Sequence, residues 1–185
     1  AGTGGFAILG ASEADQAARC AGAGDFNRDG LSDVIVGAPQ AAPNGSASGK
    51  AYVVFGKPDG DAIDLNDVEA EGSTLGFAVN GIQTMDTAGS SVARTGDVNG
   101  DGLPDMIVGA PNADAGPSLQ QDGAVYVFSG ADWSVLHKKT GDVAYAGFYL
   151  GTSVSTAGDV DGDGKADFVA GALDGASGFF LSILM

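Results

Sequence analysis

Asp25-Phe26-Asn27-Arg28-Asp29-Gly30-Leu31-Ser32-Asp33 returns twice in the chain, as Asp97-Val98-Asn99-Gly100-Asp101-Gly102-Leu103-Pro104-Asp105 and as Asp159-Val160-Asp161-Gly162-Asp163-Gly164-Lys165-Ala166-Asp167. We call these stretches loops one, two and three and number their positions 1 to 9. Successive copies begin 72 and 62 residues apart, and their surroundings repeat with them, so the chain is an internal repeat. A small-residue stretch precedes each loop. An apolar run follows it: Val34-Ile35-Val36-Gly37-Ala38-Pro39, Met106-Ile107-Val108-Gly109-Ala110-Pro111 and Phe168-Val169-Ala170-Gly171-Ala172-Leu173. In the first two copies a further run follows, Lys50-Ala51-Tyr52-Val53-Val54-Phe55-Gly56 and Gly123-Ala124-Val125-Tyr126-Val127-Phe128-Ser129-Gly130.

These runs are short, β-branched or aromatic, and bounded by Gly, Pro and Asp, which is the signature of strands. No long apolar stripe recurs at helical spacing; residues 64–71 have room for a helical turn or two. The chain therefore reads as all-β. One unit comprises a strand into the acidic loop, the Val-Gly-Ala strand, the Tyr-Val-Phe strand and a fourth, expected at Gly76 to Gly81 in unit one and Trp133 to Lys138 in unit two. Four antiparallel strands in about 60 residues describe a β-propeller blade, and the chain holds three blade equivalents.

Composition narrows the function. Of 185 residues, 24 are Asp or Glu and 8 are Lys or Arg, for a formal charge of −16. That argues against nucleic-acid binding, which needs a cationic surface to release counterions. Gly, at 32 residues, is more than twice its ordinary share of roughly 7%, so the chain turns often. The apolar runs fall far below the roughly 18 residues of a membrane span. Only Glu13, Glu69 and Glu71 are Glu; the other acids are Asp, a residue of turns and compact ligand sets.

Each loop offers oxygen at positions 1, 3, 5 and 9, a Gly at 6 and a backbone carbonyl at 7. Crowded carboxylates repel unless a hard cation sits among them, and calcium accepts six to eight oxygens in an irregular shell. The expected metal ligands are Asp25, Asn27, Asp29, Leu31 and Asp33; Asp97, Asn99, Asp101, Leu103 and Asp105; and Asp159, Asp161, Asp163, Lys165 and Asp167. Leu31, Leu103 and Lys165 would serve through their carbonyls. An EF-hand is ruled out, because position 12 is Val36, Val108 or Ala170 where a bidentate Glu is needed, and strands rather than helices follow. Up to three Ca2+ per chain, six positive charges, would bring −16 to −10. The bland alternative is that the stretches are metal-free Asp- and Gly-rich turns.

The unit resembles the FG-GAP repeat of integrin α-subunit propellers and of bacterial surface or secreted proteins. The matching text is Gly76-Phe77-Ala78-Val79-Asn80-Gly81-Ile82, Gly89 to Ala93, Gly96 to Gly102, Ile107 to Pro111 and Val125 to Phe128. The resemblance implies that the loop joins the first two strands of a blade and holds calcium, and that the setting is extracellular, where millimolar-range sites fill. Departures are Cys20, standing where Val92 stands in unit two, Leu173 in place of Pro, and Arg28 at position 4. Position 4 is no donor position, so site one is expected to survive at lower affinity.

One domain over residues 1–185 is expected, with repeats at approximately 11–82, 83–140 and 141–185. Unit three ends after its third strand, and Gly4 to Gly10 resembles the last strand of a blade, so residues 1–10 are an offset closing strand. Two arrangements follow: a homodimer closing a six-bladed ring by exchange of that strand, or a piece of a longer propeller. The missing initiator Met points to a trimmed N-terminus. Cys20 reads as a packing residue, His137 as exposed surface, and Tyr52, Phe55, Tyr126 and Phe128 as core. Ser90, Ser91 and Ser153 lack a nucleophile elbow or a His partner, so no reaction is expected. The expected role is a non-enzymatic adhesion or protein-interaction module; a sugar-binding propeller and an accessory domain of a secreted hydrolase are the alternatives.

Overall fold

The computed structural model describes residues 5–114, 121–141, 149–174 and 178–184. Its elements are β1 (Ile8–Leu9), β2 (Arg19–Gly24), β3 (Asp33–Ala38), β4 (Lys50–Val54), β5 (Ile63–Asp64), α1 (Leu65–Glu69), β6 (Gly76–Asn80), β7 (Ser91–Gly96), β8 (Asp105–Ala110), β9 (Ala124–Phe128), β10 (Val135–Thr140), β11 (Ser153–Gly158), β12 (Asp167–Asp174) and β13 (Gly178–Leu184). A single 3-10 turn at Glu13–Asp15 precedes β2. Three antiparallel sheets form in chain order, β2-β3-β4-β6, β7-β8-β9-β10 and β11-β12-β13. They are propeller blades. The expected fourth strands are present as β6 and β10, the latter two residues later than the sequence implied, and among the described residues the third blade has three strands.

Alternation along each strand decides how the blades stack. Met106, Val108, Tyr126 and Phe128 of the second blade pack with Ile35, Ala51 and Val53 of the first. The opposite side chains of the same two strands, Ile107, Val125 and Val127, pack with Phe168, Ala170 and Ala172 of the third. The middle blade is thus buried on both faces, which is why β8 and β9 are apolar at every position of their cores. Tyr52, Tyr126 and Phe128 are buried, Tyr52 on the outer face of the first blade, and Phe55 packs against the cluster of Tyr126 and Phe128, as expected of core aromatics.

The Gly of the Val-Gly-Ala run has a steric cause. A Cβ on Gly37 would lie 2.1 Å from the Gly89 carbonyl oxygen, and one on Gly109 would lie 2.1 Å from that of Gly151. The neighbouring blade's backbone therefore crosses where only Gly leaves room.

Two expectations are corrected. The N-terminal strand does not lie at the edge of the third blade: β1 pairs in parallel with β5, in the connection between β4 and β6. Phe6 and Ile8 pack onto the outer face of the first blade with Tyr52, Ile63, Leu65 and Val68, and burial of that apolar face is what draws the segment inward. Gly4 lies outside the described residues. With its strand engaged in its own unit, an exchanged homodimer finds no support. Second, Cys20 is exposed. It lies on β2 opposite Val36, toward the face of the first blade that carries Phe6, Ile8 and Leu65. His137 is exposed as expected.

Candidate metal centres

Each acidic loop joins the first two strands of its blade, and all three adopt one hydrogen-bonding pattern. The position 1 carboxylate accepts from the backbone N–H of positions 5 and 6: Asp25 from Asp29 and Gly30, Asp97 from Asp101 and Gly102, Asp159 from Asp163 and Gly164. The position 3 oxygen of Asn27, Asn99 and Asp161 accepts from the N–H of position 5. Position 5 accepts from the N–H of position 7 at 2.8 Å in every loop. These bends fold the side chains of positions 1, 3 and 5 back onto the loop's own backbone N–H groups. The chain reverses at position 6, where Gly30, Gly102 and Gly164 have φ of 87°, 83° and 89°, left-handed values that Gly adopts without a Cβ clash.

Position 9 opens the following strand and is buried: Asp33, Asp105 and Asp167 are 1%, 0% and 4% exposed. One oxygen accepts from the N–H of position 2, at 2.5 Å from Phe26, 2.7 Å from Val98 and 2.6 Å from Val160. The other accepts from Gly56 N–H at 2.7 Å in loop one and Gly130 N–H at 2.9 Å in loop two. Burial pushes the Asp33 and Asp105 carboxyls above the usual range, and these N–H groups pull them partly back. The second clamp went unread in the sequence. Its signal was the Gly that ends both Tyr-Val-Phe runs: a Cβ there would lie 2.5 Å from the Ser32 oxygen at Gly56 and 2.0 Å from the Pro104 oxygen at Gly130.

The donor set fits a hard divalent cation. In loop three, Asp159, Asp161 and Asp167 each offer an oxygen, all within 4.8 Å of one another. The position 5 carboxylate, Asp163, stands outside that group; loops one and two have Asn at position 3 and so carry three carboxylates where loop three carries four. The ion pairs among the described residues are Lys50 with Glu69 and Lys57 with Asp59, neither of which reaches a loop carboxylate. Oδ1 of Asp97 and of Asp159 each accept two N–H groups, whereas their Oδ2 atoms accept one each and keep a second lone pair for a metal. Arg28 at position 4, expected to lower the affinity of site one, directs its guanidinium away to the Gly102 carbonyl of loop two.

Blades in series, each with an Asp/Asn/Gly loop between its first two strands, define a propeller protein built on repeated acidic loops. The FG-GAP repeat model matches residues 21–54, 88–128 and 150–179, more than half of the chain and one match per blade. The chain belongs to the FG-GAP repeat family. It is 38% identical over 151 residues to a phosphatidylinositol-glycan-specific phospholipase D of Rattus norvegicus, covering 78% of this chain and 17% of the phospholipase. Integrin alpha-7 of Rattus norvegicus is 31% identical over 159 residues, 84% of this chain and 12% of the integrin. Integrin alpha-6 of Homo sapiens is 29% identical over 161 residues, covering 85% and 12%. The chain spans less than a fifth of the length of these relatives. Among the described residues, no helix is long and apolar enough to cross a membrane.

Proposed function

We propose that the chain is a calcium-stabilised, extracellular, non-enzymatic propeller module for adhesion or protein interaction, with repeats at about 11–82, 83–140 and 141–185. Calcium would be held by the side chains at positions 1, 3, 5 and 9 of each loop and by the carbonyls of Leu31, Leu103 and Lys165. The observation that carries this reading is the threefold recurrence of one loop arrangement of acidic side chains with no ion-pair partner among the described residues, and likeness to integrin α subunits supports it. Bound calcium would neutralise the loop carboxylates and stiffen the hairpins that bear them. The variable loops beside them are then free to meet a partner. Likeness to the phospholipases supports a second reading, in which the same module is accessory to a secreted hydrolase.

Ligand charge orders the sites, so loop three should bind most tightly. A site with a dissociation constant of about 0.1–1 mM adds ~1.4–2.7 kcal/mol of stability at about 10 mM calcium, by mass action. Excess chelator should therefore lower the melting temperature by several degrees, with isothermal titration showing up to three sites. A melting curve indifferent to chelator, together with no heat of binding, would remove the calcium role.

A further inference from the structure

Neighbouring loops are tied together differently at the two blade boundaries. Loops two and three are joined by the backbone: Ala166, position 8 of loop three, donates its N–H to the carbonyl of Asp97, position 1 of loop two, at 2.8 Å. The equivalent bond between loops one and two would run from position 8 of loop two to the carbonyl of Asp25. That residue is Pro104, which has no N–H to give. In its place the Arg28 guanidinium of loop one donates to the Gly102 carbonyl of loop two.

The backbone at Arg28 is costly. Position 4 is left-handed in all three loops, at φ 62° for Arg28, 82° for Gly100 and 81° for Gly162. Gly holds the position at little cost in loops two and three, whereas a residue with a Cβ pays roughly 1–2 kcal/mol there. The Arg side chain that this conformation launches makes the only tie from loop one to loop two among the bonds described for these loops.

We propose that Arg28 couples cation binding at loops one and two. The proposal rests on the calcium reading above. Arg28 lies between Asn27 and Asp29, so a cation held by those side chains fixes the backbone from which the guanidinium extends. The guanidinium in turn holds the Gly102 carbonyl, one residue before the Leu103 carbonyl of loop two. Ordering either loop thus lowers the cost of ordering the other, and by linkage the effect is reciprocal. A single exposed, charge-assisted hydrogen bond sets the scale at no more than about fivefold in affinity.

The test is a calcium titration followed by the amide resonances of Gly30, Gly102 and Gly164, one reporter in each loop, in four proteins: wild type, Asp25→Asn, Arg28→Gly and the double variant. Arg28→Gly installs the residue that the other two loops already carry at position 4, so the fold is retained, and the Gly164 resonance serves as its internal control. In the wild-type background, Asp25→Asn should raise the calcium concentration that half-saturates loop two by up to about fivefold. In the Arg28→Gly background the same change should leave loop two where it was. An equal shift of loop two with and without Arg28 would overturn the coupling while leaving the calcium sites standing. Three reporters that never move in wild type would overturn the calcium reading and the coupling with it.

Discussion

Replacing Gly109 with alanine should lower the melting temperature by about 6–12 °C, the fall that ~3 kcal/mol produces in a chain of this size. The added Cβ would sit 2.1 Å from the Gly151 carbonyl oxygen and 2.3 Å from the Ser91 hydroxyl oxygen. Ser91 could swing away, though only by giving up its 2.7 Å hydrogen bond to that same Gly151 carbonyl. The Gly151 backbone has no such freedom, because its N–H is bonded to the Gly171 carbonyl at 3.0 Å within the third blade. The second and third blades must therefore separate locally, exposing Ile107, Val125 and Phe168 between them. Gly37→Ala should act alike at the first boundary, against the Gly89 carbonyl. Gly60→Ala is the control: nothing lies within 4 Å of its Cβ, and its melting temperature should stay within about a degree of wild type. Thermal denaturation of the three variants checks this, and a Gly109→Ala curve that overlays Gly60→Ala would show that the blades do not approach so closely.

The second large effect is expected at Asp105, and it should persist in excess chelator. Asp105→Ala strands the N–H groups of Val98 and Gly130, which its carboxylate accepts at 2.7 and 2.9 Å in a fully buried position. Each buried donor left without an acceptor costs about 1–3 kcal/mol. Relief of the buried charge, whose desolvation raises the Asp105 carboxyl, offsets part of that, leaving roughly 2–4 kcal/mol. Asp101→Ala removes a proposed ligand of the same loop that is exposed and bonds only within it. Chemical denaturation in calcium and in chelator separates the roles: Asp101→Ala should lose most of its effect when calcium is absent, and Asp105→Ala should not. Should both effects vanish together, position 9 acts through the metal alone and the hairpin clamp has no weight of its own.

The same titrating groups fix a direction with pH for the metal-free chain. Asp33 and Asp105 hold their protons more tightly folded than unfolded, since burial raises both carboxyls above 3.8. The folded state then binds more protons than the unfolded one, so their contribution to stability is largest at low pH and declines as pH climbs from the ordinary carboxylate value through the raised ones.

Much of this was legible in one dimension because it is local. A run such as Val34 to Ala38 must be a strand whatever surrounds it, and Asp25 to Asp33 bends through contacts no more than eight residues apart, so strand order within a blade, the loop between its first two strands and the left-handed Gly30 could all be read from residue types and spacing. Residue type was silent where the partner lay far along the chain. That Gly109 faces the Gly151 carbonyl, that Asp105 is clamped by Gly130, that Arg28 reaches Gly102 where Pro104 has no hydrogen to offer, and that Ile8 folds onto its own unit with Cys20 left exposed are decided by which distant segments meet when the sheets form and stack. Hydrogen bonding along a chain is a property of neighbours in sequence, whereas contact between blades depends on how three twisted sheets share their buried faces, and the tertiary structure alone supplies that.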